Sequence, residues 1–209
     1  MNGAPRTLAI ETATEACSVA LYEGGELIAG EHVVLGRGHA ERLVPMIEAL
    51  PDNGKAARIL VSLGPGSFTG VRIGIATAKA LGFAWRAEVF GYQTLALIAA
   101  MAQQEHGTDP VTVCMNGGHG EWFIENFSGD TRSEGELRSL SPAQAVDHAG
   151  HSLIAGNRAN ELADLLEQAT NLRELLPNAS MTHLLQGSMF TTNLSPVYGR
   201  GPDAKLPAA

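Results

Sequence analysis

The residues whose types and spacing most clearly suit ligand binding lie in a glycine-rich loop, Gly64-Pro65-Gly66-Ser67-Phe68-Thr69-Gly70. An apolar run typical of a buried strand precedes this loop, and a helical pattern follows it. Such a loop offers free backbone N–H groups and the positive end of a helix dipole, which together suit an anion. Both standard phosphate motifs need a glycine at position 69, so the competing interpretation is a turn in which Ser67 or Thr69 caps the helix. The candidate anion ligands are Gly66, Ser67, Thr69 and Gly70.

A second glycine-rich turn, Asn116-Gly117-Gly118-His119-Gly120, follows the apolar run Val111 to Met115. Glycines let a phosphate approach the backbone closely, and Glu11 occupies the comparable strand end earlier in the chain. Two such turns facing each other across a cleft suit a nucleotide. A metal-bound triphosphate prefers a carboxylate from at least one side, however, and Asn116 does not supply one. An ordinary hairpin turn is therefore the simpler interpretation.

The remaining reactive side chains form no catalytic pattern. His148 and His151 could share a helical face, but a catalytic zinc site normally takes three protein ligands. Cys17 and Cys114 lie within apolar runs, where thiols are usually inert, and no Ser occurs in a GxSxG motif. We expect no metal site and no cofactor.

Composition narrows the classes of function. The chain has 209 residues, 44% of them hydrophobic, and a net charge of −8. The acidic excess lies beyond residue 90, with no clustered basic face of the kind that grips nucleic acid. The apolar, uncharged stretch from Val89 to Gln104 is too short for a bilayer span of about 20 residues. With no secretory pattern and no disulfide framework, we expect a cytoplasmic protein.

The order of predicted elements occurs twice: three strands, a helix, a strand and a helix. This repetition predicts an α/β fold with two related lobes, each a mixed sheet flanked by helices. We place the first lobe at residues 1–106, the second and smaller lobe at 107–200, and a flexible tail at 201–209. The first half contributes strands at 7–12, 17–22, 26–34 and 59–63 and helices at 39–50, 71–84 and 94–104. The second half contributes strands at 111–115, 121–127, 137–140 and 152–155 and helices from 141 and at 159–169.

The helix predicted at 71–84 carries only two charges, Arg72 and Lys79, and is apolar on every side. Such a helix is typically buried all round, so a partner or the later lobe of the same chain must cover its outer surface. Gly74, Ala78 and Gly82 form a stripe of small residues where another helix can approach closely. The candidate partner interface is Leu43, Ile47, Ile73, Gly74, Thr77, Ala78, Leu81 and Gly82.

Several of these segments resemble the TsaB (YeaZ) family, bacterial partner proteins for threonylcarbamoyladenosine (t6A) formation on tRNA. The resemblance rests on LAIETATEACSVAL at 8–21, on residues 39–50 and above all on GPGSFTGVRIG at 64–74. Gly120-Glu121-Trp122 and Pro196-Val197-Tyr198 with Arg200 are similar to downstream family landmarks. The resemblance implies an actin/Hsp70-like (ASKHA) fold, which agrees with the two predicted lobes.

The resemblance also implies a non-catalytic subunit. Members of this family pair with the metal-dependent paralogue TsaD through helices of the first lobe. They work with the ATPase TsaE and with the enzyme that makes threonylcarbamoyl-adenylate. The implied partners are therefore TsaD, TsaE and, only through the complex, tRNA, with a homodimer and a monomer as the two alternatives for the isolated chain. TsaD carries paired histidine ligands after its glycine loop, whereas this chain has no His between Phe83 and Gln104.

Two departures from the family weaken the expectation that this chain binds a nucleotide. Glu11 stands where the family usually has Asp, and Asn116-Gly117-Gly118 stands where it tends to have Asp-Ala-Arg. An ATP-binding phosphotransferase or ATPase of the same fold remains the main alternative. A metal-dependent peptidase or hydrolase is a third, and the missing ligand spacing argues against it.

Overall fold

The computed structural model describes residues 4–167 and 171–199. The first half contains β1 (Arg6–Glu11), β2 (Ala16–Glu23), β3 (Glu26–Val34), α1 (His39–Glu48), β4 (Arg58–Ser62), α2 (Phe68–Trp85), β5 (Glu88–Tyr92) and α3 (Thr94–His106). The second half contains β6 (Val111–Gly118), β7 (Glu121–Phe127), β8 (Arg138–Leu140), α4 (Pro142–His148), β9 (Leu153–Ala155), α5 (Ala159–Leu166) and β10 (Asn171–Arg173). The predicted tail at 201–209 lies outside the described residues.

The ten strands form two sheets with the same internal order. The first runs β3-β2-β1-β4-β5 and the second β8-β7-β6-β9-β10. In the first sheet β1 and β3 each pair with β2 in the antiparallel sense, whereas β1, β4 and β5 run parallel. In the second sheet β6 and β8 each pair with β7 in the antiparallel sense, whereas β6, β9 and β10 run parallel. The predicted pair of related α/β lobes is confirmed, and each lobe has one strand more than the sequence pattern indicated, β5 or β10.

Helix α3 forms the shared core between the two sheets. Its side chains from Leu95 to Ala100 are buried in one cluster with Ala9, Ala20 and Leu60 of the first sheet. The same cluster contains side chains of the second sheet, Val111, Val113, Phe123 and Phe127 among them. Helices α1 and α2 cover the other face of the first sheet, and α4 and α5 cover the other face of the second. The helix that is apolar and buried on nearly every side is therefore α3.

Helix α2 corrects one expectation from the sequence, because only its inner face is buried. Gly74 lies so close to Thr12 of the turn after β1 that a Cβ would collide with the threonine hydroxyl. Gly82 lies equally close to Val89 of β5, and Ala78 between them is fully buried. The small-residue stripe thus lets α2 approach its own sheet.

The predicted interface residues Leu43 and Ile47 of α1 are also buried in this core, together with Gly74, Ala78 and Gly82. These five positions are internal to the chain and offer no surface to a partner. Ile73, Thr77 and Leu81 are only partly buried, and Ile73 and Leu81 pack on the same core.

The chain returns to the first lobe after β10. A short 3₁₀ helix, Ala179–Leu184, packs on β2, where the Tyr22 hydroxyl donates a hydrogen bond to the Ala179 carbonyl at 3.0 Å. The Ala179 N–H donates in turn to Ser18 Oγ at 2.9 Å. The lobe boundary near residue 106 remains our proposal, with this later segment adding to the first lobe. Among the described residues, no helix combines the length and apolarity needed to cross a bilayer.

The packing of α2 predicts opposite outcomes for two neighbouring alanines. Replacing buried Ala78 with Leu should overpack the sheet-facing side and lower the free energy of unfolding by about 1–3 kcal/mol. Replacing exposed Ala80 with Leu, the matched control, should change it by less than about 0.5 kcal/mol. Urea denaturation of the two variants measures the difference. Equal stability of both variants would show that the stripe does not face the sheet.

Candidate functional site

The two glycine-rich turns meet at a cleft between the lobes. A cavity of about 1030 Å³ lies there, at the upper limit of the size range of small-molecule sites. The turn after β1, the glycine-rich loop before α2, the turn after β6 and the turn after β9 all contribute to its wall. The lining includes Thr14, Glu15, Gly66, Ser67, Phe68, Arg72, Asn116, Gly117, Gly118, His119, Phe123, Asn157 and Tyr198.

Several polar groups of the glycine-rich loop already form hydrogen bonds within the protein. The Ser67 N–H donates to the Ala13 carbonyl at 2.6 Å, and Ser67 Oγ caps α2 by accepting from the Gly70 N–H at 3.2 Å. A Cβ on Gly66 or Gly70 would collide with the backbone carbonyl of Ala13 or Thr12. These glycines serve close packing against the turn after β1, so the capping interpretation describes this loop. Of the four candidate anion ligands, only Thr69 has an exposed side chain with no capping or packing role at this contact.

Glu11 is fully buried at the end of β1. Its Oε1 accepts a hydrogen bond from the Ala13 N–H at 2.7 Å, and the Tyr92 hydroxyl lies 3.4 Å from Oε2. Burial raises the pKa of the Glu11 carboxyl to about 7, against the favourable effect of these hydrogen bonds. The carboxyl is held inside the first lobe and does not line the cleft.

The raised pKa of Glu11 predicts a pH-dependent stability. The unfolded carboxyl loses its proton near pH 4.5 and the folded one near pH 7. Because the folded state then holds the proton more tightly, stability falls as pH rises across this interval, by about 3 kcal/mol at most. Glu11→Gln should therefore flatten the profile of unfolding free energy between pH 5 and 8.

Exposed Glu48→Gln is the matched control and should keep the slope of the parent protein. A Glu11→Gln variant with the slope of the parent protein would mean that Glu11 ionises normally in the folded state.

The C-terminal end of β6 is joined to the first lobe by Asn157. This residue follows β9, and its Oδ1 accepts from the Asn116 N–H at 2.8 Å. Its Nδ2 donates across the cleft to Glu15 Oε1, also at 2.8 Å. The sequence reasoning missed Asn157 because it belongs to no motif. The usable signal was positional, since it follows the fourth strand of its lobe as the glycine-rich loop does in the first lobe.

Phe68, Arg72 and Tyr198 form an exposed cluster at the mouth of the cleft. The Arg72 guanidinium carbon lies 3.2 Å from the centre of the Phe68 ring, and Nη2 donates to the Tyr198 hydroxyl at 2.5 Å. The two rings stack with their centres 5.9 Å apart. Arg72 thereby fixes the C-terminal segment on the first turns of α2, through cation–π and hydrogen-bonding contacts together.

Comparisons with known proteins show which family shares this sequence and fold. A family model described as TsaD, tRNA N6-adenosine threonylcarbamoyltransferase, matches residues 33–198. The Escherichia coli tRNA threonylcarbamoyladenosine biosynthesis protein TsaB is 37% identical over 130 residues, 60% of this chain and 56% of that protein. YeaZ from Pseudomonas aeruginosa superposes with a TM-score of 0.76 at 30% identity, covering 93% of this chain and 99% of that one. The chain belongs to the TsaB (YeaZ) family.

The Haemophilus influenzae TsaB is 37% identical over 158 residues, 67% of this chain and 66% of that protein. The curated TsaB relatives are thus matched over roughly half to two thirds of their own length. The expected actin/Hsp70-like fold is confirmed by the two sheets of identical strand order and by the superposition on YeaZ. The relatives carry names that place them in t6A biosynthesis.

In this TsaB-family chain the remaining reactive residues are hydrogen-bonded to neighbouring side chains or buried. His151 Nε2 lies 2.6 Å from Glu134 Oε2, and the His148 carbonyl accepts from Asn126 Nδ2. Cys17 and Cys114 are buried free thiols, and burial raises their pKa to about 11 and about 12. Over residues 4–167 and 171–199, no three His, Cys, Asp or Glu side chains lie close enough to hold a metal ion.

Proposed function

We propose that this chain is a non-catalytic subunit that supports a TsaD-type paralogue in threonylcarbamoyl transfer to adenosine 37 of tRNA. The observation that carries the proposal is the exposed outer face of α2, which holds two phenylalanines beside the two charges of that helix, Arg72 and Lys79. The names of the TsaB relatives supply the pathway, and the match to the TsaD model supports a partner built on the same domain.

The outer face of α2 forms a ridge, which we call the α2 ridge: Phe68, Arg72, Ala76, Lys79, Ala80 and Phe83. These positions recur at helical spacing over about 22 Å. The Phe83 side chain is 91% exposed and Phe68 is 63% exposed, at opposite ends of the ridge. Fully burying one such ring stabilises a complex by about 1.5–3 kcal/mol, so two provide anchors for a partner.

The α1 helix beside it adds a further exposed apolar side chain, Val44, at 52%. Tyr198 stacks on Phe68 at one end of this surface, whereas Phe83 at the other end is 91% exposed. The partner alternative from the sequence is therefore the one that we retain, moved to the outer face. We propose a TsaD-type protein as the occupant in the complex and a second copy of this chain as the occupant in isolation. A TsaE-type ATPase and tRNA join through the assembled complex, in the cytoplasm.

The site chemistry supports a subunit over an ATPase. The amides that a phosphate would need are already engaged, that of Ser67 with the Ala13 carbonyl and that of Gly70 with Ser67 Oγ, and Glu11 is held inside the first lobe. The size of the cleft is the one observation that favours the ATP-binding alternative.

The docking proposal predicts a selective loss of partner binding for Phe83→Asp. Burying an unpaired carboxylate at an interface is costly, so affinity for the TsaD-type paralogue from the same organism should fall at least about 30-fold. The melting temperature of the isolated variant should stay within about 2 °C of the parent protein, because Phe83 is almost fully exposed. Isothermal titration calorimetry and thermal denaturation measure the two quantities.

The matched control is Leu165→Asp on α5, where an apolar side chain is 48% exposed in the second lobe. This variant should bind the paralogue as the parent protein does. Equal affinity of the parent protein and Phe83→Asp would remove the α2 ridge from the interface.

The non-catalytic proposal predicts that the purified chain alone does not turn over ATP in the presence of Mg²⁺. A coupled phosphate-release assay at millimolar ATP measures it, with the complete complex as positive control. Turnover by the isolated chain that disappears in Glu11→Gln would instead favour the ATPase alternative.

A further inference from the structure

Two separate clasps join the lobes across the cleft. The first, which we call the latch, consists of Glu15, Asn116 and Asn157. Asn157 uses both ends of its amide, accepting from the Asn116 backbone within the second lobe and donating to the Glu15 carboxylate of the first. The Asn157 N–H also lies 3.3 Å from Met115 Sδ, which fixes the residue further in its own lobe. The Glu15 contact is therefore a bond between two lobes, made to a side chain that is held in place.

The second clasp is the C-terminal segment at residues 190–199, which we call the strap. Thr191 pairs with Gly91 at the edge of β5 by two backbone hydrogen bonds of 2.8 and 3.0 Å. The Val197 N–H donates to the Leu63 carbonyl at 2.7 Å, directly before the glycine-rich loop.

The strap also contacts the second lobe. Gly199 packs so closely on the Phe123 ring of β7 that it leaves no space for a Cβ. Tyr198, one residue earlier, is held on α2 of the first lobe by Arg72 and Phe68. Gly199 thus contacts the second lobe through its backbone, and Tyr198 contacts the first lobe through its side chain.

The strap divides the space between the lobes into two cavities. Val197 lines both the cleft of about 1030 Å³ and a second cavity of about 770 Å³ behind it, which is walled by Tyr92, Phe127, Ser133 and Phe190 among others. Any widening of the cleft must therefore lengthen the Glu15–Asn157 hydrogen bond of the latch or break the contacts that the strap makes with the two lobes.

We propose that the latch and the strap lock the cleft closed as a cooperative pair, so that the lobes keep one arrangement without a bound ligand. Closing either clasp brings the partners of the other together, because both span the same gap. The coupling is reciprocal: loosening the latch must loosen the strap, and loosening the strap must loosen the latch. The chain's own side chains thereby do what a ligand does when it holds two lobes together.

Amide hydrogen exchange of the isolated full-length chain, followed by NMR, tests this lock. Glu15→Ala removes the latch contact in the first lobe and should speed exchange of the Val197 amide, on the strap, at least about tenfold. Tyr198→Ala should speed exchange of the Asn157 side-chain amide protons, which donate to Glu15 across the cleft, by a similar factor. The matched control Glu48→Ala, an exposed glutamate of α1, should change neither amide.

The Leu97 amide of α3 reports on the folded state, and its exchange should be the same in all variants. Each variant accelerating only the amides of its own clasp would overturn the cooperative lock. So would a slowing of both amides in the parent protein on addition of Mg²⁺ and ATP, because the cleft would then be closing on a ligand. The measurement uses no partner protein, so its outcome is independent of whether the α2 ridge docks a TsaD-type protein.

Discussion

The burial of α3 between the two sheets is the constraint on which the rest of this structure depends. One helix supplies apolar side chains to both lobes, from Leu95 to Ala102, and its core continues without a break into β6 and β7. Because a packed core tolerates little void or strain, the lobes cannot separate without exposing this shared surface to water. The short 3₁₀ helix at 179–184 adds a second connection from the end of the chain back to β2.

This arrangement determines which surfaces remain for function. The inner faces of both sheets are occupied by α3, and the outer face of the first sheet is covered by α1 and α2. The small residues of α2 are needed to bring that helix onto its own sheet, which leaves Phe68, Ala76, Ala80 and Phe83 outside. The exposure of Phe68 and Phe83 on this outer face is the observation on which the proposed docking role rests.

The sequence predicted the fold well where the pattern was local. The first three strands and α1 followed from apolar stretches rich in strand-forming residues, a Gly-Gly turn and i, i+3, i+4 spacing, and the repeated order predicted two lobes. The edge strands β5 and β10 were missed, since β5 contains Gly91 and follows α2 directly, while β10 has only three residues. Composition alone did not distinguish α3, buried between sheets, from α2, which is apolar but half exposed.

The site was less accessible to sequence reasoning. The spacing of Gly74, Ala78 and Gly82 correctly indicated a close approach, but spacing does not say which element approaches, and Thr12 and Val89 of the same lobe occupy that place. The role of Asn157 depends on contacts to residues 41 and 142 positions away, so no local motif could reveal it. Glu11 was assigned to the correct strand end, whereas its burial is a property of the packed lobe.

We propose that this chain contributes a docking surface and not a catalytic centre. The decisive measurement is t6A formation on unmodified tRNA, reconstituted with the TsaD-type paralogue, the TsaE-type ATPase and a source of threonylcarbamoyl-adenylate, each protein omitted in turn. Omitting this chain should abolish sustained modification, and this chain without the TsaD-type protein should produce none. Modification of tRNA by this chain in the absence of its TsaD-type partner would show that it carries a catalytic centre of its own.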